Sequence, residues 1–348
     1  VKDPLPSITV VVVSWEPGEE LVKCITSIAA ARERLPKPGL RVSLVVVDNG
    51  SASFPGDALA ALVPDALVRV NPGNLGFGPA ANQGARLASG DVVLFLNPDT
   101  EADGDPFTPL AQGFAAHQDA VALAPRLLEA PSPSGEAQGT FQLRHLPTRS
   151  QAARELLLLD KAFPQNPGLL HDRYAGLDRG RPFPVEQPAA AALAVRRSAF
   201  ERIGGFDEAF CPAWFEDVDL CARLLRLGTV LYWPASRFVH AGGVAARRLG
   251  YDRFLPLYYR NAHRYWRKHH GAVGASFYRA LVAVGMVLRL AVLPVRASVP
   301  RARGEAAHAY LRVLRGALGL DRSFHVPRSL RQAWTASARA ARSGPVTR

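Results

Sequence analysis

The run Ile8–Ser14, ITVVVVS, constrains the fold more than any other feature of the chain. It is continuous and β-branched, with no polar alternation, so it reads as a strand buried on both faces. A strand of that kind needs a layer above it and a layer below. The following residues supply both. The spacing of Leu21, Cys24, Ile25 and Ile28 predicts a helix over 19–34. A second buried strand is predicted over 42–47, a short helix near 57–63 and a strand near 66–70. A helix over 79–88 and the strand Val92–Leu96 follow. Strands alternating with helices imply an α/β fold, with a mostly parallel sheet covered on both faces. Ligands of such sheets bind beyond the carboxyl ends of the strands. Trp15, Asp48 and Asp99 all fall at such ends.

Composition narrows the function classes. Hydrophobic residues make up 48% and charged residues 21% of 348, which excludes a wholly disordered chain. Cys24, Cys211 and Cys221 are too few and too scattered for a disulfide scaffold or a CxxC zinc site, and are expected to be reduced and buried. Val1–Ser7 has no charged stretch leading into an apolar one, so a secretory leader is not expected. Residues 130–188 are rich in Pro, Gly and Arg, with one clear apolar helix over 151–159. They read as an excursion over the acceptor side of the sheet. Regular elements resume over 189–195, 196–203, 217–227 and 230–233, and a helix rich in Tyr and Arg is expected over 251–270.

Five constellations can carry chemistry. Asp48, in Asp48-Asn49-Gly50-Ser51, can accept a hydrogen bond from a nucleobase imide or can simply form a turn. In Asn71–Gly84, NPGNLGFGPAANQG, the glycines permit close backbone approach, and the stretch runs into a helix N-terminus suited to a diphosphate. It lacks the Gly-Lys-Ser/Thr of a phosphate-binding P-loop. Asn97-Pro98-Asp99 ends an apolar strand, where a carboxylate suits Mg²⁺ or Mn²⁺. Glu216, Asp217 and Asp219 crowd three carboxylates into four residues beside Trp214 and Phe215. One of them can serve as a general base with a raised pKa, while Asp219 reads as structural. His240, ahead of Gly242 and Gly243, can complete a metal site.

In this order the motifs VVVVSW, VVVDNGS, NLGFGPAANQG, LFLNPDT, RRSAFERIGGFDEAF, FEDVDLCARL and FVHAGG resemble family 2 glycosyltransferases of the GT-A fold. Within them, the text is similar to the rhamnosyltransferase-like bacterial branch. The resemblance covers roughly residues 8–270. It implies that Trp15 and Asp48 hold the base of a nucleotide-sugar donor, and that Asn74, Gly76, Asn82 and Asn97 line the donor pocket. Asp99 and His240 would bind a divalent metal, Asp217 would be the catalytic base, and Glu216 and Trp214 would shape the acceptor site. Asp207 would bind sugar hydroxyls. The implied reaction is an inverting, metal-dependent transfer, with dTDP-rhamnose as donor and a lipid-linked or cell-surface glycan as acceptor. A UDP-hexose or UDP-GlcNAc donor is the alternative within the class. A non-catalytic nucleotide-sugar- or glycan-binding scaffold is the alternative outside it. Three departures stand out. Asn97 replaces the first acid of a DxD motif, Ser14-Trp15-Glu16 differs from the usual base-binding text, and residues 189–192 lack a glycine common before that strand.

The net charge of +12 is concentrated at one end. Residues 277–348 hold 13 Arg, no Lys, and only Glu305 and Asp321 as acids. The stretch 280–295 is apolar except for Arg289 and is short for a membrane span. Over 306–320, Ala307, Leu311, Leu314 and Leu318 share a face with Arg312 and Arg315 beside it. A basic amphipathic helix of this kind suits an anionic membrane interface. The chain is therefore read as a catalytic domain over 1–270 and a membrane-associated tail over 271–348, on the cytoplasmic face. Packing of the tail on the catalytic domain or on a second subunit of a homodimer is the other reading. Nucleic acid is not an expected partner, because no nucleic-acid motif is present.

Overall fold

The structure is a computed structural model that describes residues 5–36, 39–129, 142–242, 250–296 and 300–320. Its first half alternates as expected: β1 (Ile8–Ser14), α1 (Glu19–Glu33), β2 (Val42–Asp48), α2 (Gly56–Leu62), β3 (Leu67–Val70), α3 (Phe77–Leu87) and β4 (Val92–Leu96). Then come β5 (Thr100–Ala102), α4 (Phe107–Ala116) and β6 (Ala120–Glu129). The excursion holds β7 (Leu143–Arg144), α5 (Arg149–Leu156), α6 (Leu159–Ala162), α7 (Pro167–Asp172), β8 (Phe183–Pro184) and β9 (Gln187–Pro188). The chain continues through β10 (Ala192–Arg196), α8 (Arg197–Arg202), α9 (Glu216–Leu224), β11 (Thr229–His240), α10 (Tyr251–Arg296) and α11 (Pro300–Leu318).

The central sheet has the order β3-β2-β1-β4-β10-β6-β11-β5, with β8 on β11. β10 runs antiparallel to both of its neighbours, while β1, β2, β3 and β4 are parallel. The register pairs Ser14 with Asp48 and Val12 with Leu96, which brings the carboxyl ends of three strands level. Side-chain alternation sends Val10, Val12, Leu94 and Leu96 to a layer with α1 and α4. It sends Val11, Val13, Val93 and Phe95 to a layer with α3 and α9. The uniform β-branched text of β1 is thus explained by two apolar layers, one per face.

A third apolar cluster joins the tail to this body. Ala152 and Leu156 of α5, and Val218 and Ala222 of α9, pack with Tyr259, Trp266, Tyr278 and Met286 of α10 and with Val313 of α11. The expected boundary at 270/271 coincides with a kink at Gly271 (φ 69°, ψ −170°), but the helix continues beyond it. The two arms of α10 share one core, so the described part of the tail is not a separate unit. Arg289, which looked like a charge stranded in apolar text, has a local reason. Its guanidinium donates to the Leu156 carbonyl at 2.7 Å and the Glu155 carbonyl at 3.1 Å, closing the carboxyl end of α5. Arg279 does the same for the Ala317 carbonyl of α11 at 2.8 Å.

On α11 the packed row is Ala309, Val313, Gly316 and Ala317, the small residues that let the two helices approach. Leu311 and Leu318, on the expected apolar face, are left exposed. An 18-residue window within Tyr251–Leu293 has a mean hydropathy of 1.7, and 22% of it is buried. By length and composition alone that helix can cross a membrane. The remainder of the basic tail, 321–348, lies outside the described residues, as does Gly243.

Tight contact between α3 and the sheet tests the packing. A Cβ on Gly84 would sit 2.3 Å from Cγ1 of Val11 and 3.3 Å from Cγ2 of Val47. Gly84→Ala is expected to destabilise the chain by about 1–3 kcal/mol through overpacking, read as a lower urea midpoint with an unchanged slope.

Candidate active site

Asp48 ends β2 and is fully buried. Its Oδ1 accepts from the Ser51 hydroxyl at 2.5 Å and its Oδ2 from the Ser51 amide at 3.0 Å. Ser51 Oγ also accepts from the Glu16 amide at 2.8 Å, so the turns after β1 and β2 are stitched together. Engaged through both oxygens and sealed from solvent, Asp48 fixes the turn on which a base would rest. Trp15 stands beside this turn with 38% of its surface exposed, available to a ring.

Asn49, buried one residue on, organises the glycine stretch. Its Nδ2 donates to Oδ1 of Asn74 at 3.0 Å and to the Gly76 carbonyl at 3.2 Å. Its Oδ1 accepts from the Leu75 amide and from Nδ2 of Asn71. Asn74 is exposed, and its Oδ1 also receives the Gly76 amide at 2.8 Å. Gly76 has φ 91°, and a Cβ there would meet Sγ of Cys211 at 2.6 Å and the Pro212 carbonyl at 2.9 Å. Glycine at 76 is therefore required by conformation and by close approach together.

Asn82 departs from its expected place in the donor pocket. Its Nδ2 donates to the Phe206 carbonyl and to Glu208 Oε1, both at 3.0 Å, and its Oδ1 accepts the Phe206 amide at 2.9 Å. Both amide protons are engaged, so Asn82 braces the Gly204-Gly205-Phe206 turn against α3. Asp207 also differs from expectation. Its Oδ2 accepts from Lys268 Nζ at 2.7 Å, which ties that turn to α10.

Asp99 and His240 are brought together. β5 and β11 pair His240 with Thr100, and Oδ1 of Asp99 lies 3.3 Å from Nε2 of His240. Asn97 is half-buried next to them, with its amide donating to the Ala191 carbonyl at 2.9 Å. The loop 189–191 also reaches the opposite wall, because the Ala190 backbone hydrogen-bonds Asp217. One short loop thus touches the turn of Asp99 on one side and Asp217 on the other.

Asp217 is in the first turn of α9, after Trp214 (φ 73°) and Phe215 (φ 70°). Two consecutive bulky residues in the left-handed region cost about 1–2 kcal/mol each and are kept only where the surroundings enforce them. The enforcement is visible on both sides. The Pro212 carbonyl accepts the Phe77 amide at 2.7 Å. From α10, Asn261 Nδ2 donates to the Ala213 carbonyl at 2.8 Å and the Trp214 carbonyl at 3.1 Å, and Arg260 donates to the Cys211 carbonyl. Burial lowers the Arg260 pKa to about 10, still charged at neutral pH.

The three acids of α9 have separate fates. Asp219 is fully buried, which opposes its charge, yet hydrogen bonds from His269 and Lys268 and the charge of Arg223 outweigh burial and lower its pKa. It is structural, as expected. Glu216 is 7% exposed and does not line the cavity beside Asp217, and its Oε2 has no hydrogen-bond partner among the described residues. Burial, then the Asp217 charge, raise its pKa well above the usual carboxylate range. Asp217 is also raised by burial, opposed by the Val218 amide at 2.8 Å and by the charge of Arg144. It lines a cavity of about 240 Å³ with Trp214, Arg144, Tyr258 and Tyr278. The α10 residues of that wall were missed from the sequence, because nothing local marks a helix 40 residues downstream of Asp217 as part of its surroundings.

Comparison with known proteins fits this geometry. The Glycosyl transferase family 2 model matches residues 9–166. The chain is 30% identical over 247 residues to an N-acetylglucosaminyl-diphospho-decaprenol L-rhamnosyltransferase of Mycobacterium tuberculosis, covering 66% of this chain and 75% of that protein. The chain belongs to glycosyl transferase family 2. It is a glycosyltransferase, and its mixed, mostly parallel sheet is of the GT-A type. GalNAc-T7 with UDP, GalNAc and Mn²⁺ superposes with a TM-score of 0.55 at 16% identity, over 93% of this chain and 59% of that one. The mannosyltransferase PcManGT of Pyrobaculum calidifontis with GDP-Man and Mn²⁺ superposes at 0.52 and 15% identity, over 98% and 88%.

Two outcomes follow for this family 2 enzyme. A base works deprotonated, so with Asp217 in the expected role of base, activity would climb with pH through its pKa. Arg144→Gln removes a cation that holds that pKa down, and the acid limb of the kcat/KM profile is expected to move to higher pH. A carboxyl whose folded pKa lies above its unfolded one loses relative stability as pH rises through that range. Asp217→Asn is therefore expected to melt at a higher temperature than the parent at pH 8 and to lose that advantage at pH 4.

Proposed function

We propose that this enzyme moves a sugar with inversion, L-rhamnose from dTDP-rhamnose, onto a hydroxyl of a lipid-linked or cell-surface glycan precursor. The observation that carries the reading is the half-buried Asp217 carboxylate at the wall of a cavity of about 240 Å³, joined through loop 189–191 to the turn of Asp99. The donor sugar is argued from the name of the mycobacterial relative. Asp48 and Trp15 would hold the base, and the backbone between Asn74 and Gly76 would lie along the diphosphate. Oδ1 of Asp217 accepts the Val218 amide. The remaining lone pairs of the carboxylate would take the proton of the acceptor hydroxyl, whose oxygen then attacks the anomeric carbon opposite the leaving diphosphate. One displacement inverts the configuration, and no covalent enzyme–sugar bond is needed.

Asp99 and His240, a carboxylate and an imidazole whose donor atoms lie 3.3 Å apart, would hold a divalent cation between them. No group of three or more His, Cys, Asp or Glu side chains gathers there among the described residues, which fits an ion that shares its ligands with substrate phosphates. A bound Mg²⁺ or Mn²⁺ would neutralise charge developing on the leaving diphosphate.

The reading places the enzyme on the cytoplasmic face of the membrane, lying in the interface. Val273, Ala280, Val284, Val287 and Ala291 follow helical spacing on α10 and are all exposed, close in sequence to the arginine-rich end. Arg289 ties this arm to α5, which supports an arm lying along the bilayer surface.

Thermal shift with dTDP-rhamnose and a panel of UDP-sugars, with and without Mn²⁺, tests the donor. A Mn²⁺-dependent rise with dTDP-rhamnose alone is expected, and a rise with UDP-sugars instead overturns the rhamnose assignment. Asp217→Asn is expected to keep donor binding and lose about 10²–10⁴-fold in transfer rate. For the membrane, the double substitution Val284→Glu, Val287→Glu is expected to weaken flotation with phosphatidylglycerol vesicles by at least roughly tenfold, since burying one valine is worth about 1.5 kcal/mol. Unchanged flotation, or loss of a homodimer in its place, argues against the interface.

A further inference from the structure

The cavity beside Asp217 is richer in aromatic groups than a proton transfer requires. Besides the start of α9 and the stretch around Gln187 and Ala189, three parts of the chain build it: the β7 end and its turn, with Arg144; α5, with Gln151 and Glu155; and both arms of α10. From α10 come Tyr258 and Tyr259 before the kink at Gly271 and Tyr278 after it. Burial raises the pKa of all three phenols, so they stay protonated and able to donate. None of the three hydroxyls has a hydrogen-bond partner among the described residues. Three phenols that line one cavity and leave their hydroxyls without a protein partner are available to a ligand within it.

The chemistry of the walls says which kind of ligand. A diphosphate would need surplus positive charge. Here Arg144 is balanced by Asp217 and Glu155, and none of Asp48, Asn74 or Asp99 belongs to the lining. The nucleotide side of the active site therefore lies elsewhere. What remains is a set of flat apolar rings with hydroxyl, amide and carboxylate groups between them. That combination suits a pyranose, which has an apolar C–H face and a rim of hydroxyls. The volume, about 240 Å³, equals that of roughly eight waters, room for one ring and not for a chain.

We propose that this cavity is the subsite for the acceptor's terminal sugar, with Tyr258 and Tyr278 of α10 as its specificity-determining residues and Asp217 facing the hydroxyl to be substituted. The inference rests on the transfer reading above. It gives α10 a role in recognition as well as in docking. The ring stacks between aromatic faces, and the phenols and Gln151 meet its hydroxyls. The rest of the acceptor leaves through the open side.

Octyl β-D-glycosides of N-acetylglucosamine, glucose and galactose serve as probes for the full-length protein. Trp214 and Trp266 line the cavity, so their fluorescence reports its occupancy without any donor. At least one glycoside is expected to give saturable quenching. Tyr258→Phe and Tyr278→Phe, which each remove a single oxygen, are expected to raise its Kd by about tenfold, with the same change in acceptor KM and no matching change in donor Kd. Saturable quenching that neither variant weakens overturns the proposal, as does the absence of quenching by all three glycosides. A change in donor Kd equal to that for the glycoside also overturns it, by placing the cavity on the donor side. Donor hydrolysis by water is measured in parallel. Its absence counts against the transfer reading itself, whereas the glycoside titration decides the subsite.

Discussion

The loop 211–215 is the piece on which the rest of the site depends. It must hold Trp214 and Phe215 in left-handed conformations so that α9 starts with Asp217 facing a cavity. No residue within the loop favours that shape. It is imposed from outside by two partners. The glycine stretch takes the Pro212 carbonyl through the Phe77 amide, and Gly76 makes the room. From the other side, Arg260 and Asn261 hold three of its carbonyls, those of Cys211, Ala213 and Trp214, with side chains that are themselves almost fully buried. The donor side and the C-terminal helix are thus coupled through one strained connection. Stability lost in the loop is recovered in the contacts that flank it.

The acids of α9 illustrate how environment separates chemically similar groups. Three carboxylates occupy one helical turn. Asp219 is held by Lys268, Arg223 and the His269 ring and remains charged while fully buried. Glu216 has none and is driven towards its neutral form. Asp217 lies between these extremes, buried enough to have a raised pKa and open enough to reach a cavity. Such divergence within one turn is what the proposed proton transfer at Asp217 calls for.

Much of this was legible in the sequence, for identifiable reasons. β1 and β4 were bounded to the residue because continuous apolar text has sharp polar edges. Asp99 and His240 were put together through the family resemblance, and the pairing of β5 with β11 brings the two side chains within 3.3 Å. The failures were of a different kind. Asn82 and Asp207 were assigned to ligands through the family resemblance, and their partners in the structure, Phe206 and Lys268, are remote in sequence. β11 was read over 230–233 and runs on to His240, past the register shift between Trp233 and Arg237, where its alternation lapses. Residues 103–129, with α4 and β6, carried no motif and drew no reading. The tail was read as an appendage because its arginines were counted as charge, whereas Arg279 and Arg289 act as directed donors to helix ends.

Those two arginines bear on how such a chain can vary. Each residue of a helix advances the face by about 100°. Adding or deleting one residue between Gly271 and Arg279 would swing both guanidiniums away from their carbonyls at the same moment, and Tyr278 away from the cavity. Single replacements along the outer face of that arm disturb none of this. The segment is therefore free to drift in composition but is fixed in length. Related chains should differ there by exchange of residues, with insertions and deletions displaced to the stretches before Tyr251 and after Leu320.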